Sequence, residues 1–118
     1  MDEKDIPLHI AGMQIAVFRI TEIYKEINFE ILEREWRYQS ILERQIEIVS
    51  EASRKLTEEE KSHTRDINWR AIAGIGNILR HDYKRVDLKI IWDIAENQAP
   101  RLQSAILALM EHHKHKKS

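Results

Sequence analysis

The sequence predicts an all-α fold, an up-and-down bundle of four main helices with the last one broken near Pro100. Apolar residues recur at three- and four-residue steps through most of the chain, as they do on the buried stripe of an amphipathic helix. No stretch alternates polar and apolar residues as a half-buried strand does. Only three Gly and two Pro interrupt 118 residues, while hydrophobic residues make up 42% and charged residues 33%. That balance belongs to a packed helical domain.

A chain of 118 residues fits one domain, and a domain of this size buries roughly two thirds of the surface its unfolded chain exposes. Residues 1–110 are read as that domain and 111–118 as a flexible His/Lys-rich tail. There is no cysteine, which excludes disulfides, thiolate zinc sites and a cysteine nucleophile. The first residues, Met1-Asp2-Glu3-Lys4-Asp5, are acidic where a signal peptide is basic, and no apolar run approaches the ~18 residues of a membrane span. A cytoplasmic protein is expected, suited to a reducing compartment. The formal net charge is -1, so contact with a polyanion has to be local. Residues 80 to 89 carry a local cationic patch, Arg80, Lys84, Arg85 and Lys89 against Asp82 and Asp87.

In the first helix Ile6, Ile10, Met13, Val17, Ile20 and Tyr24 form one stripe, and the early Pro7 costs no internal hydrogen bond. A second long helix is predicted from about Leu32 to Leu56, with Tyr38, Ile41, Leu42, Ile48, Val49 and Ala52 inward. Thr57-Glu58-Glu59-Glu60 has capping-box spacing and predicts a short helical turn. Asn68 caps a third helix that starts near Trp69 and runs through Ile72, Ala73, Gly76 and Leu79 towards His81. Asp87 caps a fourth, with Leu88, Ile91, Trp92 and Ala95 on its stripe. Pro100 bends or restarts that helix, and Leu102, Ala105, Ile106 and Leu109 carry the apolar face on to Met110.

The chemistry-bearing segment is Trp69-Arg70-Ala71-Ile72-Ala73-Gly74-Ile75-Gly76-Asn77-Ile78-Leu79-Arg80-His81-Asp82-Tyr83. Gly74-Ile75-Gly76 is not a dinucleotide loop, because the third glycine is missing and no strand precedes it. Small residues at 73, 74 and 76 instead allow another helix to approach closely, as at a packed interface between bundles. Asn77 and His81 are one turn apart and share a face, so the amide can orient the imidazole. His81 lies where the helix ends, and the negative end of the helix dipole favours the protonated ring. With Arg80 beside it, a His that gives and takes protons is sufficient equipment for RNA cleavage without a metal. The same residues also fit a His that only caps carbonyls. Trp69 and Trp92 read as core or interface anchors. The clustered His of the tail could bind a metal, but a cationic tail of this kind more often binds nothing specific. No cofactor is indicated.

Asp5-Ile6-Pro7, Glu51-Ala52, Trp69 to Gly74, His81-Asp82-Tyr83, Val86-Asp87 and Ile91-Trp92, taken in order, resemble the HepT-like branch of the HEPN superfamily. The similarity spans nearly the whole chain and is most specific between Trp69 and Trp92. The resemblance implies a HEPN-like bundle acting as a homodimer and a toxin-like endoribonuclease whose cleft is lined by an Arg-x4-6-His motif from each subunit. It implies a partner, an MNT-type minimal nucleotidyltransferase antitoxin, which in this family can attach AMP to the Tyr of a His-x-Tyr element. By this resemblance His81 is the motif His, Asn77 the polar residue after the motif Arg, and Tyr83 the modifiable Tyr. Gly76 stands where the Arg-x4-His form has Arg. Arg80, one turn further on, is expected to reach back over the gap, because helical side chains tilt towards the N-terminus. The site is therefore read as His81, Arg80 and Asn77 for catalysis, Tyr83 for modification, and Lys84, Arg85 and Arg70 for RNA contact, with no metal. A second reading is a degenerate HEPN module that pairs with a nucleotidyltransferase without cutting RNA.

Overall fold

In the computed structural model, which describes residues 6–81 and 87–117 except the side chains of residues 80, 81, 116 and 117, the first apolar stripe becomes α1 (Leu8–Glu26). Ile10, Met13, Ala16, Val17 and Ile20 are all but sealed from solvent along it. The carbonyl of Pro7 accepts from the amides of Ile10 and Ala11, so the proline sits just outside the helix, where its missing N–H is harmless.

The second predicted helix is two helices. α2 (Phe29–Arg34) is capped by Asn28, whose side chain accepts from the Ile31 amide, and α3 runs Trp36–Ser53. Between them Glu35 is extended, with φ -110 and ψ 100. A tertiary contact fixes the break: the amide of Gln39 donates to the carbonyl oxygens of Leu32 at 2.8 Å and Glu33 at 3.3 Å, satisfying groups that a continuous helix would have used. On α3, Leu42, Val49 and Ala52 are buried as expected, while Ile41 is 43% exposed and Gln45 and Ile46 take places in the interior.

α4 (Glu58–Ser62) has the predicted capping box. The Thr57 hydroxyl accepts from the Glu60 amide at 3.0 Å, and Glu60 Oε1 accepts from the Thr57 amide at 2.9 Å. α5 (Trp69–His81) starts where the sequence places it, with Asn68 Oδ1 accepting from the Ala71 amide at 3.1 Å. Trp69 is buried, and its indole N–H donates to Thr64 Oγ1 at 2.8 Å. Asp87 caps α6 (Leu88–Asp93) through the Lys89 amide. Trp92 on α6 packs against Tyr24 and Phe29, with ring centroids 4.8 Å and 6.2 Å away.

Pro100 does not break the last helix. The chain stays helical from α6 through a π segment, Ile94–Gln98, into α7 (Ala99–Lys117). The wide turn precedes the proline, and the Ala99 amide bonds to the carbonyl of Ile94 five residues back. Helix also continues past Met110, where a flexible tail was expected. His113 Nε2 lies 2.6 Å from Glu60 Oε2, and the His112 ring lies against His63 with centroids 4.2 Å apart.

Among the described residues there is no strand, and the four long helical runs of the predicted bundle are α1, α3, α5 and α6 to α7. α1 packs between α3 and α7, α5 lies on the other side of α3, and α6 rests on α2 and α3. Two polar fastenings hold this arrangement. Ser50 of α3 is 1% exposed. Its hydroxyl donates to the Ala73 carbonyl at 2.9 Å and accepts from the Gly76 amide at 3.0 Å. Ala73 and Gly76 thus serve close approach of α3 within the chain. A Cβ on Gly74 would meet nothing of this chain within 4 Å.

The second fastening is Glu60, 2% exposed, which joins α4 to His9 of α1 at 3.1 Å and to His113 of α7 at 2.6 Å. Burial pushes its carboxyl up, but the Thr57 amide and the rings of His113 and His9 outweigh that and hold it down at about 2. The carboxylate only accepts, so each ring presents its N–H at Nε2.

Since the folded carboxyl titrates at about 2 rather than 4.5, the stability it confers is present above pH 4.5 and drains away as the pH falls towards 2. Glu60→Gln should lower stability at pH 7 by roughly 2 kcal/mol and flatten this acid limb, measured as chemical denaturation at several pH values. Ser50→Ala should cost about 1–2 kcal/mol, because it removes two buried hydrogen bonds between α3 and α5. A Ser50→Ala protein that melts with the wild type would show that the α3–α5 seam does not rest on this hydroxyl.

Candidate functional site

α5 carries the predicted site, and its orientation follows from the elements that grip it. Trp69 anchors its first turn, the Ser50 hydroxyl pins its middle to α3, and Leu79 buries its last turn in the core. The opposite edge of the helix, with Arg70, Asn77 and Ile78, is exposed.

Of the predicted catalytic residues, Asn77 is described in full. Its Oδ1 accepts from Arg54 Nη2 at 3.2 Å, and the same Nη2 donates to the Ala73 carbonyl at 2.9 Å. Arg80 and His81 are the last two residues of α5, placed one turn beyond Gly76 and Asn77. Their side chains lie outside the described residues, as do Tyr83, Lys84 and Arg85 altogether.

Arg70 occupies the first turn of α5 and lines a groove of 610 Å³ between the end of α3, α4 and the start of α5. Arg54 and Lys61 line it too, with Ser53, Ile67, Asn68, Trp69 and Ala73, and no carboxylate is among the lining residues. Lys61 has a partner in Glu58, 3.6 Å away and almost fully exposed, a pair that water screens heavily. The groove is an open, cationic depression, and Arg54 in its wall also bonds to Asn77 on α5. Its size and sign suit a phosphodiester with its sugar.

Sequence reasoning singled out Asn77, His81 and Arg70 but not Arg54 and Ser50, which the structure places against α5. Ser50 and Arg54 are one turn apart on the same face of the second predicted helix, a spacing that alone reads as polar surface. Only the packing of α5 on α3 singles them out. Among the described residues, no group of His, Asp or Glu side chains is arranged to hold a metal ion.

Comparison with known proteins adds the family. A candidate RNase of Methanocaldococcus jannaschii is 25% identical over 108 residues, covering 90% of this chain and 97% of that protein. A candidate RNase of Caldanaerobacter subterraneus subsp. tengcongensis is 27% identical over 95 residues, covering 80% of this chain and 85% of its own. The "Probable ribonuclease HepT" of Thermococcus cleftensis is 31% identical over 88 residues, covering 75% and 80% of the two chains. No solved structure matches the chain significantly. The sequence profile of ribonuclease HepT-like proteins matches residues 13–109, from the second turn of α1 to the last buried leucine of α7, and the chain belongs to that family.

Proposed function

We propose that this chain is a metal-independent endoribonuclease of the HEPN type, with His81 as its acid and base. The observation that carries the reading is the family match across residues 13–109, joined to an α5 that ends at His81 one turn after Asn77. Relatives named as RNases support it. So does the carboxylate-free groove of Arg54, Lys61 and Arg70.

The chemistry is transesterification within RNA. A base removes the proton of a ribose 2′-hydroxyl as its oxygen bonds to the adjacent phosphorus. The bond from phosphorus to the 5′ oxygen breaks, and an acid returns a proton to that leaving oxygen. A 2′,3′-cyclic phosphate and a free 5′-hydroxyl result. An imidazole at a helix C-terminus suits both proton steps, since the helix dipole supports its cationic form. Arg80, adjacent in sequence, is assigned to neutralising charge that develops on phosphorus.

In the fuller form of this proposal the chain is the toxin of a toxin–antitoxin pair and acts as a homodimer. A minimal nucleotidyltransferase neutralises it by attaching AMP to Tyr83. The added bulk and negative charge then lie two residues from His81 and repel RNA phosphates. Gly76, with no side chain where the resembled motif carries Arg, favours a second reading, a binding module that pairs with the nucleotidyltransferase but leaves RNA intact.

Cleavage of a mixed RNA substrate by the wild-type protein should persist in EDTA and fall by about 10²–10⁴-fold in His81→Ala. Abolition by EDTA, or full activity of His81→Ala, would remove the metal-free His mechanism, and a folded wild type that binds its nucleotidyltransferase without cutting RNA would establish the module. Incubation with ATP and that partner should raise the intact mass by whole AMP units, a rise absent from Tyr83→Phe.

A further inference from the structure

We infer that Arg54 is a second guanidinium, in addition to that of Arg80, that meets the scissile phosphate, reaching the α5 site from the neighbouring helix α3. The inference rests on the ribonuclease reading above, in which Arg54 only lines the groove, and gives that residue a role at phosphorus.

Cleavage by a 2′-hydroxyl places extra negative charge on the phosphorane oxygens, and a positioned cation there lowers the barrier. Such a cation has to be held in place before RNA arrives. Arg54 meets that condition. It follows the last residue of α3 as its C-cap, and its Nη2 is fixed at both hydrogens, by the Ala73 carbonyl at 2.9 Å and by Asn77 Oδ1 at 3.2 Å. A guanidinium carries five N–H donors. Nη1 and Nε of Arg54 have no acceptor among the described residues, and the side chain is exposed. The cation is therefore docked on α5, one turn before His81, with donors still open to a ligand.

Its position in the groove gives the ligand a direction. Arg54, Lys61 and Arg70 line one groove whose walls include no carboxylate. Arg70 is at the first turn of α5 and Arg54 bonds near its middle. A strand whose phosphates pass Arg70 and then Arg54 is led along α5 towards the residue that ends it, His81. The ligand class is single-stranded RNA, since the groove lines up cations that can follow one phosphate backbone. Arg54 thus supplies a fixed positive charge at phosphorus, while Asn77, bonded to it, couples its placement to the helix that carries the acid and base.

The alternative role for Arg54 is structural, tying α3 to α5 through the Ala73 carbonyl. Two substitutions separate the roles. Arg54→Gln keeps an N–H for that carbonyl and loses the charge, whereas Arg54→Lys keeps the charge and loses the planar fork.

The experiment is steady-state cleavage of a single-stranded RNA by wild type, His81→Ala, Arg80→Ala, Arg54→Gln and Arg54→Lys, each first checked for folding by circular dichroism and melting. The expected result is a kcat lower by about 10²-fold in Arg54→Gln with KM changed far less. Arg54→Lys should retain clearly more activity than Arg54→Gln, and both should melt close to wild type. Binding of a 2′-O-methyl RNA, which cannot be cleaved, should lose about one unit of its salt dependence in Arg54→Gln. Wild-type kcat in Arg54→Gln alongside an inactive His81→Ala would overturn this inference and leave the ribonuclease reading standing. Equal losses in the Lys and Gln variants, accompanied by lower melting, would assign Arg54 to the helix seam and also overturn it. A folded wild type that leaves RNA intact would overturn both.

Discussion

The close seating of α5 on α3 is the constraint on which the candidate site depends. From a place 1% exposed, the Ser50 hydroxyl bonds to both a carbonyl and an amide of α5. It reaches both because Ala73 and Gly76 offer almost no side chain between the helices. Backbone separation here is set by hydrogen-bond length, not by the looser fit of apolar side chains. That fixes how far Arg54, one turn along α3, extends over α5, and it makes the contacts to Ala73 and Asn77 a property of the fold. A larger side chain facing α3 at this seam would widen the gap and move Arg54 relative to the end of α5.

A different physical solution holds the far side of the molecule. Glu60 buries a negative charge, which is costly unless the charge is fully solvated by protein groups. The Thr57 amide and two imidazole N–H groups do this, and each comes from a different element. The capping box that starts α4 and the tertiary link between α1 and α7 therefore share one carboxylate. Local and long-range order are coupled there, since α4 cannot lose its cap without loosening both long helices.

Much of the fold was legible because helix boundaries are set locally. Asn68, Asp87 and Thr57 each bond to an amide two or three residues ahead, and the stripes of α1 and α7 follow the helical period without tertiary help. The features that escaped are fixed from a distance. Glu35 is extended because Gln39 completes the end of α2. Ile41 is exposed although its period points inward, because the neighbours of α3 cover an arc centred on Leu42, Ile46 and Val49. The last turns of α7 stay helical because His113 finds Glu60 on another element. The site divides in the same way. Asn77 and His81 are related by helical spacing and could be read directly. Arg54 meets Asn77 only across a helix packing contact, which no single-helix pattern contains.

The π segment at Ile94–Gln98 has a consequence for how the family varies in length. A wide turn of this kind accommodates one residue more than the α-helical turns on either side, while the helix stays continuous. α6 can thereby keep its seat on α2 and α3 while α7 keeps its own on α1. A homologous chain with one residue fewer between Trp92 and Leu102 would close the turn to ordinary helix and take up the change as a rotation of α6. Insertions and deletions in an alignment of these proteins should therefore concentrate at that point, inside a helix, and not in the connecting loops where gaps are usually sought.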